Sequence, residues 1–383
     1  MVHLDAARAR FGDRADLLGA YLLRVDPIAD AAVDVIDAMP PGAGWSLVRR
    51  ALSEGSAAVP EAPGALRAFF HEVERVPVWV DWNEVDRGGA VLLRAGALGG
   101  LVLGVKSLVL GYASPAGNKP LVFSGRLESQ VARRLAETSR FVQATITPGG
   151  MRPRAPGWRI TINVRLIHAQ VRRMILRTGR WDAQAWGAPI NQHDELGTAL
   201  LFSVVVLEGL RQLGVRIPPA DGAAYMHLWR WSSWLMGVDP ELLPATEHEG
   251  RTLGEIIGSM QAPPDDDSRA LTRALLEAPL HAATDARARA NAERLYRFST
   301  TLCRSLVGDE TADLLGVPTT PWRHALPIAK RLVAGMELVR ESVPYADRPA
   351  LWAGTRYWER AVQAGLTAAA TEFGLPSTLA RAA

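Results

Sequence analysis

The 383-residue sequence predicts an all-α protein, a single multi-helix domain of about a dozen helices built around a buried central helix pair. Most segments place apolar residues three and four positions apart, the spacing that gives a helix one apolar face. Segments that alternate apolar and polar residues, as a half-buried strand does, are few and unconvincing. Because no internal repeat or long biased linker marks a boundary, we expect one domain over residues 1–383.

The central helix pair is predicted over residues 157–213, with a turn rich in tryptophan and glycine between the two helices. The first central helix (157–178) carries an apolar stripe on one side, formed by Ile160, Val164, Ile167, Val171 and Met174. The second central helix (191–213) is apolar nearly all round, which is typical of a helix in the middle of a domain. This pair is therefore the predicted core.

A polar triplet on the first central helix is the leading candidate site. Arg165, His168 and Arg172 stand at i, i+3 and i+7, on a face that borders the apolar stripe. A neutral imidazole is a standard axial iron ligand, although a histidine can equally be satisfied by a carboxylate or a carbonyl. The two guanidiniums could neutralise an acidic ligand, or could pair with Asp or Glu from another helix.

Four further residues carry weaker signals. His227 and Arg230 form an i, i+3 pair on a tryptophan-rich helix predicted over 223–236, and they could contact a cofactor or simply pack in the core. The Thr198 hydroxyl could bind an oxygen species, or bond back to the carbonyl four residues earlier. We expect His193 to be neutral and exposed, because it lies in the first turn of the second central helix, where the helix dipole disfavours a cation.

The start of that second central helix has a predicted cap. Asn191 suits the N-cap position, and Asp194 follows as the acidic third residue of the first turn. We interpret both residues as structural.

The rest of the chain is also predicted to be helical. Before the central pair, helical periodicity covers residues 14–58 and is interrupted at Pro40–Gly44. A further helix is predicted to begin near Leu66, and two more are predicted over 88–112 and Arg126–Thr145. Loops are predicted at 55–64, 114–120 and 147–157. After the central helix pair, helices are predicted over 223–236, 252–260, 269–276, 284–306, 324–342 and 347–373. The apolar run 90–112 is interrupted by Arg94 and Lys106, so we interpret it as a core helix and predict no transmembrane segment.

Composition narrows the class of protein. A net charge of +3 is too balanced to indicate a nucleic-acid partner, and the hydrophobic fraction of 48% is ordinary for a globular protein. Only Lys106, Lys119 and Lys330 are lysines among the 43 basic residues, so any single arginine is weak evidence of function. The single cysteine, Cys303, excludes an intramolecular disulfide and a cysteine-based zinc or iron–sulfur site. The first residues lack an apolar signal core, and we expect a cytoplasmic location.

Several familiar motifs are absent from the sequence. It contains no glycine-rich nucleotide loop between a strand and a helix, no GxSxG and no HExxH. It also lacks the paired ExxH motifs of a carboxylate-bridged di-iron bundle.

An ordered set of motifs nevertheless resembles a known family. The motifs occur in this order: RVPVWVDW, GRLESQVARRLAETSRFV, PGGMRP, VRLIHAQVRRMI, GAPINQHDELGTALLFSVV, AAYMHLWRWSSWLMGVDPELLP and VGDETADLLGVP. Together they resemble the rubber-oxygenase-like family, which includes latex-clearing proteins and the fungal oxygenases that shorten the terpenoid tail in mycophenolic acid biosynthesis. The similarity covers about residues 15–320, which leaves 321–383 as a C-terminal helical extension. The resemblance implies a haem-protein-like helical fold around haem b and oxidative cleavage of an isoprenoid double bond.

The resemblance also implies roles for particular residues. Arg165 matches the family's arginine beside the haem, and His168 stands where latex-clearing proteins place a lysine. The family's proximal histidine should fall near Thr198–Phe202, where this sequence has TALLF and no histidine. The family's acidic base should precede the first central helix, where TPGGMRPR contains no acid. Iron ligation is thus expected at His168, or else at His193 or His227.

Two classes of function follow. The first is a haem-b-dependent oxygenase with a hydrophobic, isoprenoid or polyketide-like substrate and dioxygen as partners. In it His168 binds the metal and Arg165 and Thr198 act in catalysis, while the other cofactor-binding residues are Arg172, His227 and Arg230. The same site also suits hydroxylation or peroxidation. The alternative is a haem-free helical binding or structural protein that retains the family scaffold, which the missing proximal histidine favours.

Overall fold

The computed structural model describes residues 3–123 and 131–368, and every regular element in these two ranges is helical. The predicted all-α class is confirmed. The helices were expected from their apolar periodicity, and their packing places one pocket at the centre of the fold.

Five helices precede the long apolar segment: α1 (Leu4–Phe11), α2 (Asp13–Ala20), α3 (Pro27–Ala38), α4 (Ala43–Glu54) and α5 (Gly64–Glu74). Single 3₁₀ turns occur here and later in the chain, at Tyr21–Leu23, Ser56–Ala58, Pro240–Leu242 and Pro321–His324. Asp26 caps α3 by accepting a hydrogen bond from the Ala29 amide at 3.1 Å, and Pro27 occupies the first helical position. The predicted stop at Pro40–Gly44 is confirmed, since it separates α3 from α4.

The apolar segment after α5 differs from the prediction of one continuous helix. It consists of α6 (Trp82–Ala95), α7 (Ala97–Val102), a π-helical turn (Leu103–Ser107), α8 (Leu108–Tyr112) and α9 (Pro115–Phe123). The chain bends by 89° after α6, because Gly96 adopts a positive φ of 49°. The loop predicted at 114–120 is also wrong, since a proline in the first position starts α9 there.

No single helix in the described ranges is long and apolar enough to span a membrane. The bent pair formed by α6 and residues Ala97–Tyr112 meets that test by length and composition alone.

The centre of the fold contains α10 (Val131–Ile146), α11 (Pro156–Arg177), α12 (Ala183–Trp186), α13 (Gln192–Phe202), α14 (Val204–Gln212) and α15 (Pro219–Met236). Of the helix predicted over Arg126–Thr145, residues 126–130 lie outside the described ranges. The first central helix is present as α11. The second is divided into α13 and α14 at Ser203, whose hydroxyl bonds back to the Ala199 carbonyl at 2.8 Å.

Two glycines on α6 allow close packing at the centre. A Cβ at Gly88 would lie 2.3 Å from the carbonyl oxygen of Ala224 in α15, and one at Gly89 would lie 2.3 Å from that of Ile146 in α10. At that distance a Cβ atom would overlap the carbonyl oxygen, so neither position can carry a side chain. These contacts bring α6 against two of the helices that line the pocket.

The apolar stripe predicted on α11 is not its core face. The residues of that stripe are half-buried, whereas the fully buried face carries Trp158, Ile162, Leu166, Ala169 and Ile175. The middle of the stripe, formed by Val164, Ile167 and Val171, lines a cavity instead, while Ile160 packs against the core. An apolar cavity wall and an apolar core face have the same periodicity, so the sequence does not distinguish them.

The C-terminal part contains α16 (Glu247–Met260), α17 (Asp266–His281), α18 (Ala286–Val307), α19 (Asp309–Leu314), α20 (Leu326–Ser342) and α21 (Asp347–Ala368). The helices predicted here are present, and the last five residues of the predicted range 347–373 lie outside the described residues. A capping box between Thr246 and Glu249 begins α16. α21 packs against α6 and α10, with the Trp358 side chain buried.

Candidate functional site

A cavity of about 390 Å³, which we call the central pocket, lies between α8–α11, α13 and α15. Its apolar lining includes Leu108, Leu121, Leu135, Phe141, Val164, Ile167, Val171, Phe202, Trp229 and Met236. Its polar lining includes Tyr112, Arg134, Glu137, His168, Asp194, Glu195 and Thr198. A neighbouring cavity of about 230 Å³ shares several of these residues. A mostly apolar wall with a few convergent polar groups is typical of a site for a hydrophobic small molecule.

His168 is the histidine of the central pocket, and a carboxylate orients it. Its Nδ1 lies 2.7 Å from Oε1 of Glu195, which is buried at the start of α13. The imidazole keeps 32% of its side-chain surface exposed. A carboxylate that accepts the Nδ1 proton leaves the Nε2 lone pair available, and Nε2 has no hydrogen-bond partner within the described residues. This is the arrangement that carboxylates impose on metal-binding histidines.

Arg134 is the cation of the central pocket, and it has no anionic partner among the described residues. Its Nε, Nη1 and Nη2 atoms are buried without a hydrogen bond among the residues that the structure describes. The guanidinium lies 5.8 Å from the centre of the Tyr112 ring, a cation–π contact that compensates only part of its desolvation. A buried, unpaired guanidinium in a pocket is suited to an acidic group on a ligand.

Asp194 adds a group that titrates near neutrality. Burial raises the pKa of its carboxyl to about 7, against the opposing effect of a 2.8 Å hydrogen bond donated by Asn191 Nδ2. The Asn191 side chain also accepts from the Asp194 amide at 2.9 Å, which confirms Asn191 as the predicted N-cap. Asp194 is thus a member of the pocket wall as well as a capping residue.

Thr198 lines both cavities on the next turn of α13. Its hydroxyl donates to the Asp194 carbonyl at 2.9 Å, the back-bond that was one of its two predicted roles. The oxygen retains acceptor capacity toward the pocket.

Arg165 lies in the core rather than along the pocket. Its Nε donates to Oδ2 of Asp26 at 2.6 Å, and its Nη2 donates to Oε1 of Glu72 at 2.9 Å. These ion pairs connect α11 to the start of α3 and the end of α5. Gly237 packs over the pair, because a Cβ there would lie 2.4 Å from Asp26 Oδ2 and 2.5 Å from Arg165 Nε.

Arg172 is likewise occupied, and it supports the pocket indirectly. Its Nε and Nη2 donate to the Pro189 and Ile190 carbonyls at 3.1 and 2.9 Å, and its Nη1 pairs with Asp30. Ile190 has a positive φ of 53°, which is strained for a β-branched residue. The arginine therefore holds the turn that leads into α13, and through it the position of Glu195.

The remaining candidates lie away from the central pocket. His227 Nε2 accepts from the Asp81 amide at 2.9 Å, and the Arg230 guanidinium stacks 4.4 Å from the Trp79 ring centre. The expectation that His193 is exposed was wrong. It is buried with Nδ1 3.1 Å from the Leu18 carbonyl, and burial lowers its pKa.

The sequence patterns did not reveal Glu195 and Arg134, the two residues that contribute most to the site beside His168. Glu195 lies 27 positions from His168, and no local spacing connects them. Arg134 follows Arg133 in an arginine-rich chain, where nothing distinguishes one guanidinium from another. The single available signal for Glu195 is its place next to Asp194 in the first turn of a helix predicted to be buried.

Within the described ranges no group of three or more His, Cys, Asp or Glu side chains could hold a bare metal ion. A single oriented imidazole in an apolar pocket is instead suited to a metal that a macrocycle already holds. Fold and site together define an all-helical protein with a deep hydrophobic pocket and one candidate axial ligand.

The chain belongs to the family described as ER-bound oxygenase mpaB/B'/Rubber oxygenase, catalytic domain, whose sequence model matches residues 82–341. This confirms the family to which the motif order pointed.

Two relatives define the similarity further. The rubber oxygenase of Streptomyces sp. (strain K30) is 28% identical over 232 residues, which are 58% of this chain and 54% of that protein. The matched region therefore spans about half the length of that curated relative. The solved structure of latex clearing protein LCP in the closed state superposes with a TM-score of 0.71 at 25% identity, over 89% of this chain and 91% of that one.

Proposed function

We propose that this protein is a haem-b-dependent oxygenase that acts on a hydrophobic substrate of isoprenoid or polyketide-like character, with oxidative cleavage of a carbon–carbon double bond as its outcome. The observation that carries the proposal is the His168–Glu195 pair at the wall of the central pocket. Membership of the oxygenase family supports it.

The residues of the pocket fit a haem in two respects. His168 has the tautomer that an axial ligand needs, because Glu195 accepts the Nδ1 proton and leaves Nε2 free. Arg134 provides a buried cation without an anionic partner in the described part of the chain, and a haem propionate would satisfy it by charge-assisted hydrogen bonds. We propose Arg134 for this role in place of Arg165 and Arg172, because Arg134 lines the central pocket, whereas the other two arginines lie off its lining and pair with Asp26, Glu72 and Asp30.

A bound haem would supply the activation of dioxygen, and the chain's own residues would supply the surroundings. The apolar walls from α8, α10 and α15 would bind an aliphatic chain and exclude water. Asp194 would hold a proton at its carboxyl, since burial raises its pKa to about 7. Thr198 offers a hydroxyl oxygen that can accept a hydrogen bond from a polar atom of the substrate.

A haem-free binding protein is the second candidate. No histidine occurs in Thr198–Phe202, and His168 is the only histidine among the described residues that line the central pocket. In that case the same pocket would bind an apolar carboxylic acid, with its acid group on Arg134.

Absorption spectroscopy distinguishes these candidates. The protein is expressed with a haem precursor and compared with His168→Ala, Glu195→Gln and the surface control His248→Ala. The proposal predicts a Soret band in the wild type and in His248→Ala, its loss in His168→Ala and a weaker or shifted band in Glu195→Gln. Incubation of the haem-loaded protein with an unsaturated isoprenoid and dioxygen should then give carbonyl products.

A band that persists unchanged in His168→Ala would remove His168 from the iron. Absence of a band from all four folded proteins would overturn the haem proposal and favour the binding protein. Titration with a long-chain fatty acid, with Arg134→Met as the comparison, would then test that second candidate.

A further inference from the structure

Helix α20 presents its apolar side to solvent. Ile328, Leu332, Met336, Val339 and Val343 are 62%, 65%, 72%, 62% and 50% exposed, and they stand at i, i+4, i+8, i+11 and i+15. That spacing places the first four on one face of α20, and Val343 follows directly at the C-terminal end of the helix. Contiguous exposed apolar surface of this kind is unusual on a protein that acts alone in water.

The opposite side of α20 faces the protein, where Leu326 is buried and polar side chains form hydrogen bonds and an ion pair. Lys330 Nζ donates to Ser305 Oγ at 3.3 Å, and Arg216 donates its backbone N–H to Glu337 at 3.1 Å and pairs with Glu341 at 2.8 Å. An ordinary surface helix buries its apolar face and exposes its polar one. Helix α20 has the reverse orientation, because its large apolar side chains face solvent. Polar contacts on its inner face hold the helix against the protein.

The surface around this face is positively charged. Arg323, Arg331 and Arg348 are exposed, and none has a carboxylate within ion-pair distance in the described part of the chain. The neighbouring acids are already engaged, since Glu337 and Asp347 pair with Arg340 and Glu341 pairs with Arg216. A net positive rim therefore surrounds the apolar stripe.

Aromatic side chains stand at both ends of the helix. Trp322 precedes α20 and Tyr345 follows it, with 43% and 73% of their surfaces exposed. Tryptophan and tyrosine prefer the boundary between lipid headgroups and acyl chains, and arginines beside an apolar helix face extend toward lipid phosphates.

We propose that the exposed face of α20 docks the protein on the surface of an anionic phospholipid bilayer, with the helix lying in the plane of the interface. An apolar stripe with aromatic ends and a cationic rim is the pattern of interfacial helices. A second copy of this chain is a poorer occupant, because a symmetric contact would bring like-charged rims together. The contact would bring a protein with a deep apolar pocket close to a lipid bilayer. Apolar molecules dissolve in the bilayer rather than in water.

Vesicle co-sedimentation of the full chain tests the proposal. We expect binding to mixed phosphatidylcholine–phosphatidylglycerol vesicles, weaker binding to phosphatidylcholine alone, and loss of binding at high salt. Leu332→Ser combined with Met336→Ser should abolish it. Arg323→Glu, Arg331→Glu and Arg348→Glu should each weaken it at least about fivefold. Matched controls away from α20, Leu176→Ser and Arg287→Glu, should bind as the wild type does.

A thiol probe reports the location directly. Cys303 is buried, and burial raises the pKa of its thiol to about 12, so an environment-sensitive maleimide should label Leu332→Cys selectively. The label should shift to a less polar emission when anionic vesicles are added. A label at 332 that reacts no faster than Cys303 without lipid would show the face to be covered in solution, which would overturn the proposal.

Two further outcomes would also overturn it. One is absence of vesicle binding by the wild type at low salt. The other is concentration-dependent dimerisation, measured by analytical ultracentrifugation, that the double serine variant abolishes while vesicles have no effect.

Discussion

The guanidinium of Arg134 lowers the stability of the ligand-free protein, because its nitrogen atoms are buried without hydrogen bonds among the described residues. A buried cation that no anion of the described residues pairs with carries a desolvation cost, and the Tyr112 ring offsets only part of it. Its neighbour Arg133 differs, because it pairs with Glu137 at 2.9 Å.

We therefore expect Arg134→Met to stabilise the ligand-free protein by about 1–3 kcal/mol, since the substitution removes a buried unsatisfied group. The same variant should bind haem about tenfold to a hundredfold more weakly, as expected for loss of a charge-assisted bond. Urea denaturation and haem titration measure the two effects. Arg133→Met, which removes a paired arginine, should gain no stability, and a loss of stability in Arg134→Met would contradict this account.

Asp194 should make stability depend on pH. Burial raises the pKa of Asp194 in the folded protein to about 7, whereas the carboxyl of the unfolded chain has its ordinary pKa of 3.8. Between these values the folded state binds more protons than the unfolded state, so this group's contribution to stability falls as pH rises through that window and is constant above it.

The variant Asp194→Asn removes that titration and keeps an acceptor for Asn191. We expect the free energy of unfolding of the variant to equal that of the wild type near pH 4 and to exceed it above pH 7. Between these pH values the difference in free energy should grow by at most about 1.4 kcal/mol per pH unit. Thermal denaturation across this range measures it. A constant difference between the two proteins at every pH would show that Asp194 does not titrate in this window.

At the scale of elements, α11 shows what periodicity determines and what it leaves open. The helix and its length follow from the sequence. However, the middle of its apolar stripe (Val164, Ile167 and Val171) lines the central pocket, and its two buried arginines face the core. A helix can contact different surroundings on several faces, and residue spacing reports only that a face is apolar.

The end of α15 depends on a single glycine. Gly237 has a φ of 91°, and its Cα packs against the ion pair of Arg165 and Asp26. Gly237→Ala should destabilise the protein by more than the about 1–2 kcal/mol that left-handed geometry costs alone, because the added methyl group also displaces the ion pair. Chemical denaturation measures the change.

Gly335→Ala provides the matched control. A Cβ at Gly335 meets no atom within 4 Å, and the residue lies inside α20, so alanine should stabilise the helix by about 0.5–1 kcal/mol. Equal effects at the two glycines would refute the explanation for Gly237.

At the scale of the whole molecule, the described part of the predicted C-terminal extension, residues 321–368, packs on the rest through α21, which contacts α6 and α10. We expect the chain to unfold as one cooperative unit, because α6 also contacts α15 at the centre. Calorimetry should give one transition with equal calorimetric and van't Hoff enthalpies. A separate early transition that Trp358→Ala alone shifts would instead define the extension as its own unit.

The sequence by itself determined the all-α class, the positions of most helices, the Asn191 cap and the family, since these depend on local spacing and on motif order. Tertiary structure decided the rest. It placed His168 of the polar triplet in the pocket and both arginines in the core. It paired Arg165 with Asp26, which is 139 positions away in the sequence. It also turned the apolar face of α20 outward. The physical reason is that ion pairing, burial and exposure depend on what lies opposite a side chain, and distant segments supply that environment.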